Sequence, residues 1–343
     1  MTAPSRPPAL DAEEPTHDVP RGGTWAARRG LALPALLLGA CMLVSGVVPN
    51  GIGQLGSLVQ TFLPWTGLAV PGLVVLALWR RSAWGMAALL VPVAVWSVLF
   101  GGRLVDKTGP DGDLVVAEHN VGAGNPDPAG TARALAGSGA DVLALVEVTE
   151  QARPVYERAL SASYPYYAVR GTVGLWSRLP LSGVVPLDLR MDAGPLAASL
   201  PARVRAVSAR ALRATVATAH GPLAVYVAHL ASVRVDLRSG FGTEQRNRGV
   251  QALAEAVAAE PVERVVLLGD LNGSTDDRAL APLTDQLESA QDSAGDGFGF
   301  TWPARFPVLR IDEILVRHVR PARSSVLPPT GSDHRPVVAT IMW

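Results

Sequence analysis

Cysteine is almost missing from this chain: its 343 residues include one, Cys41. No intrachain disulfide can form, and a lone cysteine suits either side of a membrane, so it places the protein on neither. Charge is sparse as well. Asp, Glu, Lys and Arg make up 17% of the residues, and 30 basic side chains cancel 30 acidic ones. That balance argues against a basic surface built for avid, non-specific DNA binding. From Asp106 onward about 23 basic residues face about 26 acidic ones, a slight acidic excess. Nucleic acid stays open as a substrate, because a metal site can bind phosphate locally. No acid or base interrupts the apolar runs near the N-terminus, and nothing there suggests ion or proton transport.

What the chain does have is apolar sequence, unevenly placed. Hydrophobic residues are 48% of the total, and the mean hydropathy of +0.24 is high. Most of the excess lies in residues 31–100. Residues 1–30, rich in Pro, Gly and charge, read as a disordered cytoplasmic tail. Three uncharged runs follow, at 31–48, 55–78 and 83–100. Each is long enough to cross a bilayer as a helix, although Gln60, Pro64 and Pro71 interrupt the second and leave a re-entrant hairpin as its alternative. A cleaved signal peptide competes for the first run and fits less well, since two more runs follow. Arg28 and Arg29 precede the first run, and Arg80 and Arg81 separate the second from the third, while the loop Pro49–Gln54 is uncharged. The bias of basic residues toward the cytoplasm then predicts three transmembrane helices, with everything after Phe100 outside; Arg103 and Lys107 run against that bias.

Residues 101–112 read as a linker, and 113–343 as one globular domain. Strand and helix periods alternate there. Leu114–Glu118, Val142–Val146 and Val265–Leu268 read as strands. Ala209–Thr218 and Leu223–Ala228 form a hairpin, and Ile311–Val316 and Pro336–Ile341 are the last strands. Pro128–Ala136 reads as a helix with Asp127 as N-cap, and Glu244–Ala259 as a helix begun by Thr243. Hairpins with helices between them fit two sheets packed face to face with helices outside.

The chemistry-bearing residues sit at strand ends. Asp270 and Asn272, two apart after four apolar residues, point to one side of an extended segment. An acid there can orient or deprotonate a water, and an amide can donate to phosphate without repelling it; the alternative is an Asx turn. Glu147 follows a buried strand, where a carboxylate suits a hard cation, unless it is a plain loop acid. Asn120 can add a neutral oxygen to the same cation, while His119 alternates to the other face. His229 ends a strand. Asp312, within a strand, needs a partner, and His334 in Gly331-Ser-Asp-His-Arg-Pro336 is the economical choice. Asp333 is then left to face the metal.

Five segments in this order carry a resemblance: His119-Asn-Val121, Ala140-Asp-Val-Leu-Ala-Leu-Val-Glu147, Gly269-Asp-Leu-Asn272, Arg310-Ile-Asp-Glu-Ile-Leu-Val316 and Ser332-Asp-His-Arg-Pro-Val337. Gly174-Leu-Trp-Ser-Arg-Leu-Pro180, Val227-Ala-His-Leu230 and Thr301-Trp-Pro303 add to it. Over about residues 112–343 the chain resembles the endonuclease/exonuclease/phosphatase superfamily, the DNase I-like fold. Its layout resembles membrane-anchored bacterial members. The resemblance implies a four-layer α/β sandwich and cleavage of phosphate esters with Mg²⁺, or Mn²⁺ in its place. It implies Asn120, Glu147 and Asp333 at the metal. It implies Asp270 at the attacking water, Asn272 on phosphate, His229 as donor to the transition-state oxygens and Asp312 orienting His334. Two departures stand out: Val146 occupies a position that is often polar, and no second acid is placed to support His229.

The expectation is therefore a membrane-embedded, extracytoplasmic phosphodiesterase of nuclease type, acting on nucleic acid or phospholipid. The rivals are a phosphatase or phospholipase on headgroups and a catalytically silent binding or sensor module. No protein partner is inferable.

Overall fold

The computed structural model describes residues 29–189, 209–236 and 240–343. The tail expected over residues 1–30 lies almost wholly outside them. In chain order the strands are β1 (Leu114–Asn120), β2 (Val142–Val146), β3 (Tyr166–Arg170), β4 (Val173–Ser177) and β5 (Leu181–Pro186). They continue with β6 (Ala211–Thr218), β7 (Gly221–His229), the short β8 (Arg234–Asp236) and β9 (Gly240–Gly242), and β10 (Val265–Asp270). The last are β11 (Glu288–Ser289), β12 (Asp312–Arg317), β13 (Arg320–Val326) and β14 (Val337–Met342). One six-stranded sheet has the order β13-β14-β1-β2-β4-β3, the other β11-β12-β10-β7-β6-β5, and β8-β9 is a separate ribbon. Among the described strands only β1 with β2 and β7 with β10 run parallel. Each parallel pair sits at the middle of its sheet.

Side-chain alternation explains the layers. In β10, Val266 and Leu268 enter the core between the sheets, whereas Val265 and Leu267 face the opposite way. There they meet Val250, Leu253 and Val257 of the helix Glu244–Ala258. In β2, Val142, Ala144 and Val146 face the other sheet. Leu143 and Leu145 face Leu135, Tyr156 and Leu160 of the helices Pro128–Ala136 and Arg153–Leu160. Helix, sheet, sheet, helix is a mixed α/β sandwich of four layers, as expected. The same parity places the functional ends: Asn120 follows Val116, His229 follows Val227, Asp270 follows Leu268 and Asp312 precedes Ile314, all on the inner face. Registers Asp270↔His229 and Asp270↔Asp312 put three of them side by side.

The N-terminal region corrects the expectation of three uninterrupted spans. Among the described residues only Ala83–Leu104, 22 residues, is alone long and apolar enough to cross a membrane. Leu55–Thr61 and Leu63–Trp79 qualify only as a pair, bent by 61°. Ala32–Val47 is apolar but shorter. The bend has a local cause. A 3₁₀ segment, Leu63–Leu68, opens with Pro64, which has no N–H to continue a helix. The turn also lets the backbone press on the long helix: a Cβ on Gly67 would lie 2.5 Å from Trp96 Nε1.

These helices dock on the sandwich through specific bonds. Arg103 donates to Asp276 at 2.7 and 2.8 Å and to Asp292 at 3.0 Å. The Ser57 hydroxyl donates to buried Asp277 at 3.0 Å. Arg278 donates to the carbonyls of Gly46 and Val48. Trp65 Nε1 donates to Val308 O at 2.8 Å, and its ring stacks on Phe300 at 5.4 Å. Residues after Leu104 are also bound, Gly109 N donating to Ala322 O at 2.6 Å.

Candidate active site

Antiparallel pairing of β1 with β14 and of β10 with β12 gathers the carboxyl ends of β1, β2, β7 and β10 with the start of β12 and the loop before β14. Asn120 is the hub. Its Nδ2 donates to Asp270 Oδ2 at 2.9 Å and to Glu147 Oε1 at 3.3 Å, and lies 3.5 Å from His334 Nε2. Its carbonyl accepts from Ser332 Oγ at 2.6 Å, and the same hydroxyl accepts from His334 N at 3.1 Å. Ser332 thus ties the β14 loop to β1. Glu147 Oε2 accepts from Ala123 N at 2.8 Å, and Oε1 lies 3.5 Å from His229 Nε2. Glu147 and Asn272 hold left-handed φ values of 61° and 47°. Such strain in non-glycine residues persists where the surroundings over-determine it, typically at working sites.

Both Asp312 oxygens lie 2.9–3.0 Å from His334 Nδ1. The pairing read from the sequence is therefore present. Burial alone would lower the imidazole, but Asp312, then Asp270 and Asp333, outweigh it and raise it to about 9. Asp270 is raised as well, which for a carboxyl favours the neutral form. Burial, reinforced by Asp312, raises its carboxyl to about 7, against His334 and hydrogen bonds from Asn120 and the Asn272 backbone. An acid near neutrality beside a cationic imidazole is a matched pair for proton transfer.

His229 is where sequence reasoning fell short. Arg210 Nη2 donates to His229 Nε2 at 2.8 Å, and Nδ1 has no hydrogen-bond partner among the described residues. Burial, then Arg210 and His334, hold the imidazole well below its usual range. It is neutral, with its proton on Nδ1, because a guanidinium can only donate. An arginine, not a second acid, supports this histidine. Asn272 donates through Nδ2 to Leu230 O at 3.0 Å, which leaves one amide hydrogen for a ligand. Asp333 is exposed and accepts from Trp302 Nε1 at 3.4 Å. A Cβ on Gly122 would lie 3.5 Å from Asp333 Oδ1, which places this carboxylate over the loop leaving Asn120, at the rim. His119 faces away, as alternation requires, and meets Thr330 at 2.9 Å.

Glu118 was missed, although the parity that selects Asn120 also selects it. It is fully buried, and neither oxygen has a hydrogen-bond partner among the described residues. Burial, then Asp312, Asp270 and Glu313, hold its carboxyl far above the usual range. The cleft thus concentrates acids beyond what its cationic groups offset. Glu147 and Asp270 share the amide of Asn120, and the three are a donor set for a hard divalent cation once that amide turns its oxygen, which accepts from Gly122 N at 3.0 Å, toward the carboxylates. Asp270, Asp312 and His334 also bring one ligand atom each within 4.8 Å of one another. That trio is the poorer site, because Asp312 already spends both oxygens on the imidazole.

The strand ends of a two-sheet α/β sandwich thus carry an acid-lined cleft. The Endonuclease/Exonuclease/phosphatase family profile matches residues 117–334, and the chain belongs to that family. No curated protein matches it. Several solved structures share the fold. D. rerio TDP2 complexed with single strand DNA product has a TM-score of 0.53 at 18% identity, over 67% of this chain and 99% of its own. The Staphylococcus aureus beta toxin has a TM-score of 0.50 at 15% identity, over 66% and 99%. An endonuclease/exonuclease/phosphatase family protein from Leptotrichia buccalis has a TM-score of 0.51 at 15% identity, over 67% and 100%.

Proposed function

We propose that this protein is a membrane-tethered, divalent-metal-dependent phosphodiesterase whose site lies on the extracytoplasmic side. One observation carries the catalytic part: Asn120, Glu147, Asp270 and the Asp312–His334 pair meet at one end of the sandwich, although 214 residues separate the outermost two. Glu147 and Asn120, with Asp270 beside them, would hold the cation. A bound Mg²⁺ or Mn²⁺ would supply polarisation of the phosphoryl oxygens and offset developing charge. Ionised Asp270 orients the water and takes its proton. Asp312 fixes the His334 tautomer, so that Nε2–H faces the cleft as a donor. Asn272 and the Arg210–His229 unit present further donors and positive charge to the phosphoryl oxygens. In the net reaction, water oxygen bonds to phosphorus and one P–O ester bond breaks. A water proton ends on the leaving alkoxide, giving an alcohol and a phosphomonoester.

Support for the tether comes from where the helix ends fall. Gly46, Val48, Gly53 and Arg103 all contact the sandwich. Leu31 instead lies against Gly85, a few residues along the chain from Arg80 and Arg81. Ala83–Leu104 is long and apolar enough to cross alone, and the bent pair is so as one broken span. Leu33, Leu37, Leu43, Val75 and Val98 are exposed along the N-terminal helices, as lipid-facing residues would be. The test is hydrolysis of bis(4-nitrophenyl) phosphate by the purified full chain. Cleavage with Mg²⁺ that stops on chelation is expected; a folded protein inert with both metals would overturn the reading.

A further inference from the structure

A second cavity lies outside the catalytic cleft, at the seam between the helices and the sandwich. Its volume is about 410 Å³, within the roughly 300–1,000 Å³ of small-molecule sites. Trp65 and Leu68 of the bent pair line one wall, Val93 and Trp96 of the long helix another, and Phe298 and Phe300 of the sandwich close it. Ser97 is its one hydroxyl-bearing residue.

Its position says what would enter. Leu68 and Val93 at its edge are exposed on the surface that a bilayer would cover. Ser97 lies seven residues before Leu104, about 10 Å below the domain end of the long helix, near the boundary between acyl chains and headgroups. Two tryptophans mark that same depth. The cavity is also joined to the chemistry. Phe300 is two residues from Trp302, at most about 7 Å of extended chain, and Trp302 donates to Asp333. Between them, Thr301 Oγ1 accepts from Asp312 N at 3.4 Å.

We infer that this cavity takes one acyl chain of a membrane phospholipid, so that its headgroup phosphodiester is the bond presented to the site. The inference rests on the phosphodiesterase reading and adds the substrate class. An apolar wall continuous with the bilayer binds the chain, and the Phe300–Trp302 segment sets the distance from chain to phosphate.

The experiment uses the full chain in nanodiscs of phosphatidylglycerol and phosphatidylcholine with Mg²⁺. Val93→Phe and Ser97→Phe fill the cavity without touching the cleft. Each is expected to lower hydrolysis of long-chain phospholipid by roughly tenfold, the equivalent of two buried methylenes, and to leave bis(4-nitrophenyl) phosphate hydrolysis unchanged. A phosphatidylcholine carrying a diazirine on its acyl chain should label peptides containing Trp65, Trp96 or Phe300 in the parent and less in the variants. Soluble diester cleaved at full rate, with phospholipid hydrolysis absent or unaffected by both variants, overturns the inference and leaves the phosphodiesterase reading intact. Labelling of those peptides that is equal in parent and variants also overturns it. A parent inert toward both substrates overturns the phosphodiesterase reading itself, and the inference with it.

Discussion

Glu147 is the residue on which the cation assignment turns. It sits at a strand end with a left-handed φ and touches Asn120 and Ala123 N. Glu147→Gln keeps its size and removes one charge. Metal-dependent turnover should fall by about two to three orders of magnitude, with an unchanged melting temperature; near-parental turnover would remove Glu147 from the site. The Asp312–His334 pair makes a claim about stability. His334 is raised above its unfolded value, so the stabilisation from pairing is full below about pH 6.5 and is lost as pH rises through about 9. Melting curves at about pH 6 and about pH 9.5 should show a drop in the parent that shrinks in Asp312→Asn. An equal drop in both would detach the effect from this pair. Parity made much of the site readable: Asn120, Asp270 and Asp312 each follow or precede apolar residues of known facing. Arg210 and Glu118 were not read. An arginine in a hairpin looks like surface, and its partner His229 is 19 residues away. Glu118, two places before Asn120, shares its parity, but nothing in the sequence shows that the acid is buried without a hydrogen-bond partner among the described residues.

Local rules worked best where an element carries its own start and stop. Asp127 does cap Pro128–Ala136, its Oδ1 accepting from Gly130 N at 2.8 Å. Thr243 precedes Glu244–Ala258 as expected but makes no side-chain cap, and its hydroxyl instead accepts from Asn247 Nδ2 at 3.1 Å. The apolar runs were the hardest, because hydropathy counts residues and does not register where a helix turns. Pro64 starts the bend locally, but its carbonyl accepts from Trp96 Nε1 at 2.8 Å, a partner far along the chain. Docking of the long helix depends on Arg103, which orientation rules treat as an exception on the wrong side. The structure gives that residue a task, since Asp276 and Asp292 lie against it, and Asp292 also binds Arg310, two residues before Asp312. Arg103→Ala leaves this partly buried acid pair short of one cation. A loss of about 1–3 kcal/mol in detergent is expected, with faster amide exchange over residues 274–277; unchanged exchange would mean that the helix holds nothing there.

For the molecule as a whole, one reagent tests sidedness. With a single native cysteine, Cys41→Ala gives a thiol-free chain, and Asp111→Cys then places one probe on a side chain that is 96% exposed. A membrane-impermeant maleimide should label intact cells; labelling only after lysis would put the site in the cytoplasm. The seam between helices and sandwich reaches further than topology. Ser57 reaches Asp277, which Arg246 also binds, and Arg246 in turn reaches Asn272 O. Asn272 is thus three hydrogen bonds from a helix that would lie in the bilayer. If the helices separated from the sandwich after a cut between Leu104 and Asp113, Phe298 and Phe300 would lose Trp65, Trp96 and Phe100, and Asp277 would lose Ser57. The shed fragment should leave the membrane as an impaired enzyme prone to clump through its bared aromatic rings. On the proposed topology, release of the sandwich would act as an off-switch, not as a route to a secreted form.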